Sequence, residues 1–102
     1  MNVASLENSK RLYELSGWID KGQNGYSHVP DAPYYDAGYL LRKLLKVTSV
    51  DIFVSQDEML YALASSLALD TETPHGKAKE LEDALCLLAI KLVRRGHIKS
   101  AK

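Results

Sequence analysis

The strongest periodicity lies near the end of the chain, where Leu81, Ala84, Leu85, Leu88 and Leu92 recur at intervals of three and four residues. Leu87 and Ile90 widen that stripe. Glu80, Glu82 and Asp83 sit early and Lys91, Arg94 and Arg95 late, the order that suits a helix macrodipole, and Gly96 supplies a stop. A second helix is predicted from Ser5 to Ser16, with Leu12 and Leu15 on one face, Lys10 and Glu14 at helical spacing, and Ser5 as N-cap. Gly17 suits the left-handed position that ends it, and Trp18 is placed to fold back on Tyr13. A third helix gathers Tyr35, Tyr39, Leu40, Leu44 and Val47 on one side, with Asp31 or Asp36 as its cap. Gly38 inside it costs about 1 kcal/mol relative to Ala, which a close packing contact would explain.

Between these helices the pattern changes. Ile19 to Tyr34 contains Gly22, Asn24, Gly25, Pro30 and Pro33 without sustained apolar periodicity, so it reads as a loop with room for a short strand at Tyr26 to Val29. Val50, Ile52 and Val54 alternate with Asp51, Phe53 and Ser55, a β-branched run of period two that predicts a strand. Residues 59–69 satisfy two patterns. Their Ala and Leu content favours helix, with Ser55 and Glu58 as a capping box. Yet Tyr61, Leu63, Leu67 and Leu69 also alternate with Ala62, Ala64, Ser66 and Ala68, as in a strand with one large and one small face. With Gln56, Asp57 and Glu58 as a turn, the second pattern makes Val50 to Leu69 a hairpin. Thr71 to Gly76 then interrupts, through Thr73-Pro74 and Gly76. The expected fold is α+β, three helices with a small antiparallel hairpin or sheet; the helical pattern for 59–69 would make it mainly α instead.

Three strings, Leu12-Tyr13-Glu14-Leu15-Ser16-Gly17-Trp18, then Tyr35-Asp36-Ala37-Gly38-Tyr39-Leu40-Leu41-Arg42-Lys43-Leu44, then Asp83-Ala84-Leu85-Cys86-Leu87-Leu88-Ala89-Ile90-Lys91-Leu92, together resemble a group of small uncharacterised bacterial and bacteriophage proteins. The resemblance implies a β-hairpin before the final helix and a helix start at Thr-Pro, and it favours the hairpin. It carries no activity. This chain departs from the group by placing His75 to Leu81 between Thr73-Pro74 and the helix core.

Length and composition narrow the picture. A chain of 102 residues fits one domain, residues 1–102, and 46% apolar with 25% charged residues is ordinary globular usage. Thirteen Lys and Arg balance thirteen Asp and Glu, so no overall field draws in polyanions and any such binding needs a local patch. The lone Cys86 excludes a disulfide framework and points to a reducing compartment, the cytoplasm. Glu7, Asn8 and Ser9 stand where a signal peptide needs an apolar run, and no stretch reaches the length of a membrane span.

No pattern of catalytic, metal-binding or cofactor-binding residues stands out. His28, His75 and His97 lie in separate segments without the short spacings of metal ligands. Cys86 falls within the apolar stripe, and eleven helical residues separate it from His97 by about 16 Å. Gly22 to Gly25 lacks phosphate-loop spacing, and Asp20, Asp31 and Asp36 with Tyr26 and His28 read as solvated loop groups. Tyr34, Tyr35 and Tyr39 interleave with Arg42, Lys43 and Lys46, as on single-strand binding surfaces, but Tyr35 and Tyr39 share the face of Leu40 and Leu44 and so belong to a core.

Two functional expectations follow. The leading one is a non-enzymatic protein-interaction or accessory module, of phage association if the resemblance holds, which binds a protein partner or itself through a surplus apolar flank of the last helix at Leu87 and Ile90. The alternative is a nucleic-acid-binding accessory protein using a cationic patch of Arg42, Lys43, Lys46, Arg94 and Arg95, with zero net charge against it. Neither reading involves a membrane.

Overall fold

The computed structural model describes residues 3–18, 35–65 and 73–100. The elements run α1 (Leu6–Ser16), α2 (Ala37–Leu44), β1 (Val50–Val54), β2 (Leu60–Ala64), β3 (His75–Ala78) and α3 (Leu81–Arg94). The strands form one antiparallel sheet in the order β1-β2-β3. The described residues are thus α+β: α3 packs on one face of the meander, over β2 and β3, and α1 and α2 pack on α3. The loop and short strand expected between Ile19 and Tyr34, with the loop groups Asp20, Tyr26, His28 and Asp31, lie outside the described residues.

Helix ends follow the local chemistry. The Ser5 hydroxyl accepts from the Asn8 amide to open α1, and Gly17, at φ 67°, donates its amide to the Tyr13 carbonyl to close it. Asp36 rather than Asp31 caps α2, its carboxylate accepting the Tyr39 amide at 2.7 Å. Helix α2 ends at Leu44, so Val47 lies beyond the helical face assigned to it and is exposed. The cap of α3, Glu80, makes no side-chain bond; Asp83 serves a tertiary role instead. Its Oδ1 accepts the Ser5 amide at 2.7 Å and the Asn8 side-chain amide at 3.0 Å, pinning the start of α1 to the start of α3. Trp18, which follows α1, shares a pocket with His97 and Ile98 beyond α3, so the two helices run parallel.

The ambiguity over residues 59–69 resolves as strand for Leu60–Ala64, and 66–69 fall outside the described residues. Ser55 and Glu58 do not cap a helix; they turn the chain, with the Ser55 amide donating to Met59 and Glu58 adopting a left-handed φ of 63°. The reason the strand prevails is visible in the packing. Ala62 and Ala64 form the small face and are fully buried, and Ala62 stands opposite Gly76 of β3 in the register. This flat patch lets α3 approach until a Cβ at position 76 would lie 2.0 Å from the Ala84 carbonyl oxygen and 2.7 Å from the Leu88 nitrogen. Gly76 is therefore a strand residue beneath the helix backbone, and Thr73-Pro74 leads into β3, not into the helix that the resemblance implied. Gly38 fills no such role: a Cβ there would make only ordinary contacts, with Asp36 and Arg42.

One core joins every element. Leu12, Leu40, Leu44, Leu85, Leu88 and Leu92 are fully buried, and Trp18 retains 4% exposure. Tyr35 stacks on Tyr39 with ring centroids 5.5 Å apart, while its hydroxyl donates to the Trp18 carbonyl at 2.7 Å. Among the described residues no buried side-chain polar atom lacks a hydrogen-bond partner. No helix of the described residues is long and apolar enough to cross a membrane.

Candidate ligand groove between α1, α3 and the β3 edge

Helix α3 lies across the sheet at Gly76, and its flank overhangs the outer edge of β3. Helix α1 packs on the same helix. Between α1 and β3 an open groove of about 260 Å³ remains. Leu87 and Ile90 of α3 supply its apolar lining, Arg11 of α1 forms one wall, and His75 and Lys77 of β3 the other. Lys91 and Arg94 extend from α3, one and two turns beyond Leu87.

The two residues expected to form a surplus apolar flank thus meet in this groove, although not as an exposed patch. Ile90 retains only 3% exposure, and Leu87 is half-buried against the core. The neighbouring α1 and β3 cover most of what the sequence pattern left open. What remains is an apolar strip bordered by cations. Arg11, Lys91 and Arg94 make no ion pair among the described residues, while Lys77 pairs with Asp57 at 3.2 Å. The Lys77 ammonium is held above its ordinary pKa range, first by the Tyr61 hydroxyl and then by Asp57. The Asp57 carboxyl is held below its own range by the Ser55 hydroxyl and then by Lys77.

The β3 edge adds backbone groups to the groove. The Ala64 amide donates to the Pro74 carbonyl, so with the register Ala62↔Gly76 the hydrogen-bonded pairs fall on the even positions of β3. The amides and carbonyls of His75 and Lys77 therefore point away from β2, toward the groove. Two donors and two acceptors at strand spacing face an apolar strip and a cationic rim.

The cationic patch expected at Arg42, Lys43, Lys46, Arg94 and Arg95 divides. Arg94 borders the groove. Lys43 and Lys46 line a separate pocket with Trp18, Val47, His97, Ile98 and Lys99, where the C-terminal ends of all three helices meet. Cations there offset the negative ends of three helix dipoles. Lys43 also lies over the rings of Trp18 and Tyr39, at 5.2 and 5.6 Å. Arg42 and Arg95 are exposed and line neither cavity. Arg11, Lys77 and Lys91 were absent from the expected patch. Lys91 and Arg94 were legible as the i+4 and i+7 partners of Leu87 on one helix face, but nothing local ties Arg11 to them.

Of the remaining candidates, His75 and His97 line the two cavities, Cys86 lines neither, and His28 lies outside the described residues. Cys86 is buried, its thiol pushed up to about 12 by desolvation and donating weakly to the Asn8 carbonyl at 3.4 Å. Among the described residues no group of three His, Cys, Asp or Glu side chains is placed to hold a metal ion. The outer face of the sheet carries a ladder of rings: Phe53 stacks on Tyr61 at 5.0 Å, Tyr61 meets His75 at 5.8 Å, and Lys77 lies over Tyr61 at 5.4 Å. No family model, no curated protein and no solved structure matches the chain.

Proposed function

We propose that the protein is a binding module that takes up an extended acidic segment of a partner protein as a fourth strand along β3. The observation that carries this reading is the juxtaposition in one groove of a strand edge at His75 and Lys77 that no other described strand pairs, an apolar strip at Leu87 and Ile90, and the cations Arg11, Lys91 and Arg94, which make no ion pair among the described residues. Each feature asks for a different part of the same ligand. The strand edge calls for a main chain, the apolar strip for alternate side chains on one face, and the cations for carboxylates. The basis is recognition, not catalysis.

A second reading, a nucleic-acid-binding accessory protein, draws support from the separate pocket of Lys43, Lys46 and Lys99. Aromatic stacking counts against it. Trp18 is buried, and Tyr61 has Phe53 stacked on it and Lys77 over its ring.

Fluorescence anisotropy with a labelled peptide of alternating Val and Glu tests both readings beside a single-stranded oligonucleotide of equal charge. The peptide is expected to bind more tightly than the oligonucleotide, with affinity falling as salt rises. Arg11→Glu and Arg94→Glu are expected to weaken it about tenfold each, the equivalent of about 1.4 kcal/mol. Tighter binding of the oligonucleotide would put the second reading in its place, and an affinity indifferent to both charge reversals would remove the groove from the account.

A further inference from the structure

The opposite edge of the sheet is also open among the described residues, and its chemistry differs. Strand β1 exposes Ile52 by 43%, Phe53 by 45% and Val54 by 62%, and α3, which packs on β3 and β2, leaves the β1 side of the sheet uncovered. Ser55 donates to Met59 and Ser65 to the Ser49 carbonyl, so the odd positions of β1 are those hydrogen-bonded to β2. The amides and carbonyls of Val50, Ile52 and Val54 consequently face outward, and the described residues give them no partner. Within the strand the protection of the edge is limited to one charge, Asp51: the strand has no proline, no lysine and no bulge.

We infer that β1 pairs antiparallel with β1 of a second copy of this chain about a two-fold axis at Ile52, joining two sheets into one of six strands. Self-pairing is favoured by the strand's own symmetry. A two-fold axis between hydrogen-bonded residues must fall at Val50, Ile52 or Val54, the positions whose backbone groups face outward. Only the axis at Ile52 pairs all five strand residues: Val50 with Val54, Asp51 with Phe53, and Ile52 with its own copy. In that register Asp51, the one charge of the strand, faces an aromatic ring of the partner and not another carboxylate. An axis at Val54 would instead set Asp51 opposite Asp57. The union would cover Ile52 and Val54 on the helix side and Phe53 on the other, and a five-residue edge gives a small, concentration-dependent interface. It leaves the β3 groove free in each copy, so the inference stands apart from the proposed ligand.

Light scattering coupled to size-exclusion chromatography over a wide range of concentration reads the association directly. The wild-type protein is expected to shift from monomer toward dimer as concentration rises. Ile52→Lys is expected to remain monomeric at every concentration with an unchanged circular dichroism spectrum, because position 52 is exposed and its backbone makes no bond to β2. The register has its own test under mild oxidation, since Cys86 is buried and will not compete. Ile52→Cys is expected to form a disulfide-linked dimer, as facing residues of a hydrogen-bonded pair lie about 5.5 Å apart between Cα atoms, within the disulfide range. Asp51→Cys, offset from its own copy by two residues, is expected to cross-link at least tenfold more slowly. A wild type that is monomeric throughout, or equal cross-linking at 51 and 52, would overturn the inference. A monomer that instead captures a strand of another protein at β1 would count against it equally.

Discussion

Adding one methyl group at Gly76 tests the contact on which the architecture turns. A Cβ at this position would lie 2.0 Å from the Ala84 carbonyl oxygen, 2.7 Å from the Leu88 nitrogen and 3.1 Å from the Ala84 carbonyl carbon, all of them backbone atoms of α3. No side chain can rotate away to relieve them. Restoring contacts of about 3.5 Å requires α3 to withdraw from the sheet by about 1 Å or more. That movement loosens the packing of Leu85, Leu88 and Leu92, which are fully buried. Overpacking a core costs about 1–3 kcal/mol where side chains can adjust, and with helix backbone as the obstacle the upper end or beyond is expected, at least about 3 kcal/mol. The effect is steric alone, because Gly76 does not have the positive φ found at Gly17 and Gly96. Gly76→Ala is therefore expected to lower the urea midpoint, followed by Trp18 fluorescence, by about 1–3 M and the Tm by about 12 °C or more. Gly38→Ala is the matched control. It lies on an exposed helix surface with only ordinary contacts, and it is expected to stabilise by about 0.5–1 kcal/mol. A Gly76→Ala midpoint equal to wild type would refute the close approach of α3 to β3, and with it the position of the groove beside that contact.

Other consequences are as direct. Trp18→Ala, which empties a nearly enclosed aromatic site, is expected to cost about 3 kcal/mol or more by denaturant titration. Asp83→Ala removes the acceptor shared by the Ser5 amide and the Asn8 side chain and is expected to cost about 1–2 kcal/mol, with hydrogen exchange accelerated first at the start of α1. Cys86, with its thiol pushed up to about 12, is expected to resist alkylation at pH 8 in the native protein and to react once urea unfolds it. Because its folded pKa lies above the unfolded value of about 8.5, its contribution to stability is full below that pH and is lost as pH rises toward 12; Cys86→Ala should flatten that part of the alkaline profile.

How much of this was written in the sequence depended on the range of the interactions. The helix ends were legible, because Ser5, Asp36 and Gly17 act within a few residues of themselves. The first strand and its turn were legible in the alternation of Val50, Ile52 and Val54. Residues 60–64 satisfied two periods at once, and what decides between them is the pairing of Ala62 with Gly76, which lies beneath Ala84, a contact between segments far apart in the chain. The third strand was missed for a related reason. His75-Gly76-Lys77-Ala78 has no β-branched residue and no apolar alternation, and it is a strand because β2 and α3 require one there. The groove was half legible: Leu87, Ile90 and Arg94 were marked, for separate reasons. Arg11 and Lys77 join them only through the tertiary arrangement.

Addition of an extended acidic segment to β3, over Leu87 and Ile90, is the proposal on which the groove's function rests. Titration with the Val-Glu peptide of protein labelled with 15N and with 13C at its Leu and Ile methyl groups, followed by amide and methyl shifts and by hydrogen exchange, decides it. The amides of His75 and Lys77 are expected to shift and to gain protection together, along one isotherm shared with the methyl groups of Leu87 and Ile90. Unchanged His75 and Lys77 amides at saturation, with the shifts gathered instead at Lys43, Lys46 and Lys99, would contradict it.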